Sequence, residues 1–301
     1  LAQLRQPAPA AVAGGGPRLR LLLAEDNLVN QKVALHVLRR LDLAADVAAH
    51  GREVLEAVRR QRYDVILMDC QMPELDGYET TRRLRREEAD GTYGPRAAHY
   101  VVALTANAMA GDREKCLAAG MDDFLTKPMD PEALRQALRR AVAFRRESEA
   151  LASAMSGGPV AEPPGAVSNP AANPARGADV EAAGGAETLP VLDLAALEAL
   201  RVPGDPAALG ELVELFLVDA PRRVAALAAA CGGRDREAAR VAAHTLKGSA
   251  GNLGARRLAA RAAEAEVAAR EGAWGMLDRL LPGLEDCLAE ARPRFEAARH
   301  G

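Results

Sequence analysis

Aromatic residues make up only 3 % of this 301-residue chain, and tryptophan occurs once. Its cores must therefore be built from Ala, Leu and Val, which the hydrophobic fraction of 49 % supplies. Apolar runs of 18 residues are absent, so the pattern holds no membrane-spanning helix. The N-terminus lacks the charged, apolar and small-residue succession of a signal peptide. Cysteine is scarce: Cys70, Cys116, Cys231 and Cys287 are scattered without a C-x-x-C pair. That excludes a zinc ribbon or a disulfide framework and suits a reducing, cytoplasmic setting. The net charge of −3 comes without a basic stripe, which argues against general nucleic-acid binding. Lysine is rare, with Lys32, Lys115, Lys127 and Lys247 the only four among 39 basic residues. A lysine here marks a place where arginine does not serve. The chain starts at Leu1, not Met, and is read as a piece of a longer protein whose remainder would carry any membrane anchor.

What is present falls into two halves. Residues 1–17 are rich in Ala, Pro and Gly and are expected to be flexible. From Arg18 to Phe144 strand-length apolar runs alternate with helical patterns. The strands are "RLRLLLAED", "LAADVAA", "YDVILMD", "YVVALTA" and "DDFLTK"; the helices cover 29–41, 52–60, 78–86, 112–119 and 131–144. Five βα units in succession imply a parallel sheet with helices on both faces. Residues 145–188 lose their aromatics and read as a disordered linker spanning about 35–40 Å. From 189 to 301 every signal is helical. Leu209, Leu212, Val213, Phe216 and Leu217 fall on one helical face, and an all-α bundle is expected. Pro282 and Gly283 should kink or break the last helix.

Function in an open parallel sheet gathers at the carboxyl ends of the strands. Those ends carry Glu25 and Asp26, Asp69, Thr105 and Lys127. Three converging carboxylates call for a cation, and oxygen ligands of this kind suit Mg²⁺. Lys127 then supplies a compact charge for a phosphoryl oxygen and Thr105 a hydroxyl donor. Asp69 would be the nucleophile, forming an aspartyl phosphate.

The segments "LLLAEDN", "VILMDCQMPELDG", "ALTAN" and "DDFLTKP" resemble the receiver, or response-regulator, domain of two-component signalling over about residues 18–144. That resemblance implies a flavodoxin-like fold with Asp69 as phosphoacceptor. It further implies Mg²⁺ ligation by Asp26, Asp69 and the Gln71 backbone carbonyl, with Glu25 assisting through water. Thr105 and Lys127 would contact the phosphoryl group, and Phe124 would occupy the aromatic switch position.

The stretch "AHTLKGSAGNLG" poses a different problem. It is helical, yet three glycines stand in it, each costing roughly 0.5–1 kcal/mol against Ala inside a helix. At 100° per residue, Ala239, Ala242, Ala243, Leu246, Ala250 and Leu253 share one face, and His244, Lys247, Gly248 and Gly251 the other. With no second His, Cys or carboxylate at ligand spacing, a metal site is not indicated. Gly248 and Gly251 would clear a docking face around a nucleophilic His244, and Lys247 would offset the charge placed on it. The other histidines, His36, His50, His99 and His300, lie in no motif and are read as incidental. The motif resembles the histidine phosphotransfer (HPt) domain, an up-down four-helix bundle carrying one phosphorylated histidine. The resemblance places that role on His244, with Lys247 and Gly248 as its neighbours.

Together these resemblances imply the C-terminal part of a hybrid sensor histidine kinase acting in a phosphorelay. A donor kinase domain, expected in the parent chain, would phosphorylate Asp69; the group would pass to His244 and then to a downstream response regulator. No ATP-binding motif is visible in this piece. Nucleic acid and membrane are not expected partners. The rival readings are a stand-alone receiver–HPt relay protein, a non-enzymatic signalling scaffold, and a metal-dependent phosphohydrolase resembling the haloacid dehalogenases. The last wants an Asp two residues after the nucleophile, where Gln71 stands.

Overall fold

The protein is described from a computed structural model over residues 19–94, 98–105, 110–155, 186–202, 204–205 and 207–299. Side-chain placement is not described for 110–111, 151–155 and 186. The expected flexible N-terminus, most of the expected linker and His300 lie outside these residues.

The first half is a five-stranded parallel sheet of β1 (Leu21–Ala24), β2 (Ala45–Ala48), β3 (Val65–Asp69), β4 (Tyr100–Thr105) and β5 (Asp123–Thr126), in the order β2-β1-β3-β4-β5. Strands β1, β3 and β4 are buried along their whole length, as their unbroken apolar runs require of parallel strands covered on both faces. Edge strand β2 is only half-buried. Helices α1 (Leu28–Arg39), α2 (Gly51–Arg60), α3 (Gly77–Ala89), α4 (Ala110–Ala118) and α5 (Pro131–Met155) link and follow the strands. Their starts are fixed locally. Asn27 accepts from the Asn30 amide and Asp76 from the Glu79 amide, so each caps a helix directly after a loop. Helix α5 continues beyond Phe144 to Met155, so 145–155 is helix and not linker. The alanine and glutamate content that weakens a core there is compatible with a solvated helix.

The second half begins with a 3-10 turn (Ala186–Thr188) and the short α6 (Leu194–Glu198). The bundle follows: α7 (Ala207–Gly233), α8 (Arg236–Asn252), α9 (Arg256–Glu271) and α10 (Trp274–Ala298). Alanine replaces aromatics as its packing currency: Ala239, Ala243 and Ala250 of α8 and Ala262, Ala265 and Ala269 of α9 are fully buried. The pair Phe216 and Phe295, centroids 5.1 Å apart, fills the space between α7 and α10. Helix α10 continues through Pro282 and Pro293, so the break that Pro282 and Gly283 suggested does not occur. Leu277 and Leu280 before Pro282, and Leu284 and Leu288 after it, are all buried in the bundle, and this burial holds the axis together despite the missing N–H. No described helix is long and apolar enough to cross a membrane.

The two halves are packed against each other. Helix α1 of the sheet domain lies on α7 and α8 of the bundle, and one continuous set of buried side chains runs across the junction.

Candidate active site

The ends of β1, β3 and β5 converge as the strand order requires. Glu25 and Asp69 are 2 % and 3 % exposed. The Lys127 ammonium, reaching in from the end of β5, lies 2.6 Å from Glu25 Oε2 and 2.7 Å from Asp69 Oδ2. Thr105, also buried, accepts the Lys127 amide at its carbonyl, 2.7 Å away, and so fixes the turn that aims the lysine. Among the described residues, Glu25, Asp26 and Asp69 are the one group of three whose ligand oxygens all lie within 4.8 Å of one another.

This much negative charge in a buried place shows in the acidities. Burial pushes the Asp69 carboxyl up; Lys127 pulls it down and Glu25 pushes it up again, the upward causes prevailing. Burial and the neighbouring Glu25 likewise raise Asp26. Burial alone would lower Lys127, but Asp69 and Glu25 outweigh it and hold the ammonium charged. A site that one ammonium leaves short of positive charge fits a dication, and its all-oxygen donor set fits Mg²⁺. Gln71, in the loop after β3, donates its amide to Asp69 Oδ1 at 3.2 Å, while its side chain turns to the bundle, where Arg240 donates to its Oε1 at 3.2 Å. Phe124 stands half-buried on β5 with the Arg113 guanidinium 5.9 Å from its ring centroid.

Across the junction, α8 presents His244 towards this pocket. The helix starts at Asp235, whose side chain accepts the Ala238 amide at 3.0 Å, and its apolar face is buried as its spacing demands. On the same helix Arg240 reaches Gln71 at 3.2 Å and Asn252 reaches Asn30 at 2.9 Å, so the face that carries His244 meets the rim of the pocket. His244 Nδ1 lies 2.8 Å from Glu266 Oε1 on α9, and Lys247 Nζ donates to Glu266 Oε2 at 3.0 Å. A carboxylate only accepts, so Nδ1 is the donor in this hydrogen bond and Nε2 is the ring nitrogen not engaged by Glu266. Burial raises Glu266, but the hydrogen bond from His244 and the charges of His244 and Lys247 prevail and hold it at about 2.

The glycines divide by role. A β-carbon on Gly248 would lie 3.3 Å from Asn30 Nδ2, an atom of α1, with no bundle atom beyond its own helix inside 4 Å. Gly248 therefore does face the other domain. Gly251 does not: its nearest neighbour would be Ala259 on α9, at 4.0 Å, so it clears the way for a bundle helix and not for a docking domain. Gly254 takes a φ of +77°, and a β-carbon there would stand 2.7 Å from the Asp193 carbonyl.

Sequence reasoning missed Glu266, Asn30 and Asn252. Asn252 Nδ2 donates to Asn30 Oδ1 at 2.9 Å, and Asn30 Nδ2 donates to Glu25 Oε1 at 3.0 Å. This hydrogen-bonded path leads from the bundle into the acidic pocket. An uncharged asparagine inside the glycine-rich motif was its only visible signal. The reading of His36 and His99 as incidental is corrected: both are 1 % exposed. His99 pairs with Glu88 at 2.8 Å, and His36 lies in the junction. His50 caps α2.

Comparison with known proteins agrees with this division. Residues 21–139 match the family described as response regulator receiver domain, and residues 211–293 the Hpt domain. Hybrid signal transduction histidine kinase K of Dictyostelium discoideum is 38 % identical over 131 residues, covering 43 % of this chain and 11 % of that protein. Histidine protein kinase 1 of Candida albicans is 44 % identical over 130 residues, covering 40 % of this chain and 5 % of its own length. The chain thus spans about a tenth or less of these relatives. Among solved structures, the receiver domain of sensor histidine kinase PA1611 from Pseudomonas aeruginosa, with magnesium in its active-site cleft, is 46 % identical; the match covers 42 % of this chain and 98 % of that one, with a TM-score of 0.37. A co-crystal of the Saccharomyces cerevisiae phosphotransfer protein Ypd1 with the receiver domain of Ssk1 matches at 32 % identity, over 40 % of this chain and 85 % of that one, with a TM-score of 0.37.

Proposed function

We propose, from the match of residues 21–139 to the receiver domain and of residues 211–293 to the Hpt domain, that Asp69 and His244 are the two residues between which this chain passes a phosphoryl group in two-component phosphorelay signalling. The observation that supports this reading is the junction itself: Arg240 and Asn252, on the helix that carries His244, reach Gln71 and Asn30 at the rim of the Asp69 pocket, and Glu266 holds Nδ1 of His244. In the forward step Nε2 of His244 attacks phosphorus, the bond from phosphorus to the Asp69 oxygen breaks, and Asp69 is left as a carboxylate. The proton stays on Nδ1, so the phosphohistidine carries an imidazolium charge that Glu266 offsets. Lys127 meets the negative charge of the moving group from the Asp69 side. Asp26, Asp69 and the Gln71 carbonyl would hold Mg²⁺, with Glu25 nearby, and the ion would neutralise phosphoryl charge when bound. Phe124 would read the phosphorylation state of Asp69. The phosphoryl group would enter from a histidine kinase domain and leave to a downstream receiver, as in a hybrid sensor kinase. A phosphohydrolase is not favoured, because Gln71 replaces the required acid and is engaged by Arg240.

Labelling with acetyl phosphate tests this reading. Wild-type chain should acquire Mg²⁺-dependent label, base-labile on Asp69 and acid-labile on His244. Asp69→Asn should lose both, and His244→Gln should keep only the first. Label on His244 in the Asp69→Asn chain would overturn the assignment.

A further inference from the structure

Residues 193–202 and 204–205, which comprise α6 and its flanks, precede the matched Hpt residues, yet they are tied firmly to the bundle. The Asp193 amide donates to the Gly254 carbonyl at 2.8 Å, Arg256 pairs with Asp193 at 3.0 Å, and Arg201 donates to the Ala298 carbonyl at 3.1 Å. Leu197 is fully buried and Leu200 nearly so. From this anchored position the stretch reaches α1 of the receiver at two points. His36 Nε2 donates to the Leu200 carbonyl, with its ring 1 % exposed, and Arg39 pairs with Asp205 at 3.6 Å. These contacts lie about 9 Å or more along α1 from the Asn30–Asn252 pair. Helix α1 is therefore gripped at both ends: near the phosphoryl site by α8, and at its far end by a segment outside the four-helix bundle. Between the grips, Leu28 and His36 of α1 face Leu212 and Leu215 of α7 across a cleft of about 210 Å³.

We propose that Leu200 and Asp205 form, with His36 and Arg39, a clasp that holds the chain's own receiver on its own Hpt domain and so favours transfer within the chain over exchange with receivers of other chains. The inference rests on the relay between Asp69 and His244. The Hpt face around His244 admits one receiver at a time, since Gly248, Arg240 and Asn252 are all engaged by this one. A foreign receiver must then displace the clasped one. The His36 contact discriminates because a receiver without a donor at that place leaves the Leu200 carbonyl buried without its partner.

Two variants of the chain test it. The donor carries His244→Gln and is labelled on Asp69; the acceptor carries Asp69→Asn and can be labelled only at His244. Adding His36→Asp to the acceptor alone opens its clasp while the donor's receiver keeps His36, so transfer between chains should rise about tenfold. Adding it to the donor alone removes the contact both from the donor's own clasp and from its docking on the acceptor, so transfer between chains should change little, whereas adding it to a chain with both Asp69 and His244 should slow transfer within the chain. Arg39→Glu, on an exposed residue, should act in the same directions by about two- to fivefold. A folding defect would lower transfer in every arrangement, so a rise with the acceptor variant has no such explanation. Unchanged or reduced transfer to the His36→Asp acceptor, with label still reaching His244 of the unmodified acceptor, overturns the clasp and leaves the relay standing. Label reaching no acceptor His244, with Asp69 fully labelled, removes the relay and the clasp with it.

Discussion

Glu266 accepts from two side chains with its two oxygens, His244 at 2.8 Å and Lys247 at 3.0 Å. Replacing it with alanine frees the imidazole to rotate, and transfer to His244 should fall by about ten- to hundredfold. Glu266→Gln retains an acceptor for Nδ1 and should lose less. The same carboxyl links the site to stability. Held at about 2 against an ordinary 4.5, it contributes above pH 4.5, and that contribution is lost as pH falls from 4.5 towards 2. Melting curves of Glu266→Gln should therefore flatten over that interval relative to wild type; equal acid slopes would contradict the pairing. Gly248 makes a second residue-scale case. Gly248→Ala should raise bundle stability by about 0.5–1 kcal/mol. Gly248→Leu should leave melting intact but slow transfer, because its side chain runs into Asn30 and not into the bundle. A matching loss of melting temperature would show the position to be structural. The acidic pocket was legible because strand ends place its residues by topology. Glu266 was not, since 22 positions separate it from His244 and only the packing of α9 on α8 brings them together.

At the scale of elements, apolar runs of strand length marked the five strands and helical spacing marked α1 to α5, α7, α8 and α10, whereas α9 was covered only by the general helical character of 189–301. Such patterning failed where local chemistry opposes packing. Proline inside a helix removes a hydrogen bond and costs about 3 kcal/mol, so Pro282 reads as a break. Yet Leu277, Leu280, Leu284 and Leu288 are buried on both sides of it, and the helix continues. The penalty should then remain as stored instability. Pro282→Ala restores a donor for the Asp278 carbonyl and should stabilise the bundle by about 1–3 kcal/mol, visible as a higher denaturation midpoint with unchanged transfer. A midpoint at or below wild type would mean that α10 is already accommodated around the ring. The end of α5 failed for the opposite reason. Residues 145–150 are half-buried or exposed and imprint no apolar period, so composition alone suggested linker where helix persists to Met155.

The whole molecule is more than two domains on one chain, and this the sequence concealed. Nothing in either motif tells which surfaces of the two halves meet, because Asn27, Asn30, His36 and Arg39 on α1 resemble ordinary helix residues until α7, α8 and Leu200 are laid beside them. The junction has a titratable group at its far end. Burial holds His36 below the usual imidazole value of 6.5, and Arg39 and Arg40 add to that, against the Leu200 carbonyl and Asp205, which pull it up. The charged groups around it are Lys32, Arg39 and Arg40 on α1, Glu211 on α7 and Asp205 before it. The docked state therefore binds protons at His36 less readily than the open state does. Its contribution to docking is complete above pH 6.5 and is lost as pH falls through and below that value. Small-angle scattering of the full chain should show its radius of gyration growing between pH 7.5 and 5.5 as the halves part. His244 also sits in the junction, so the wild-type trend alone does not identify the group. His36→Gln, which keeps a donor but cannot titrate, should remain compact through the same interval, whereas Glu266→Gln should expand as wild type does. Expansion of the His36→Gln chain with the wild-type midpoint would remove His36 from the pH response.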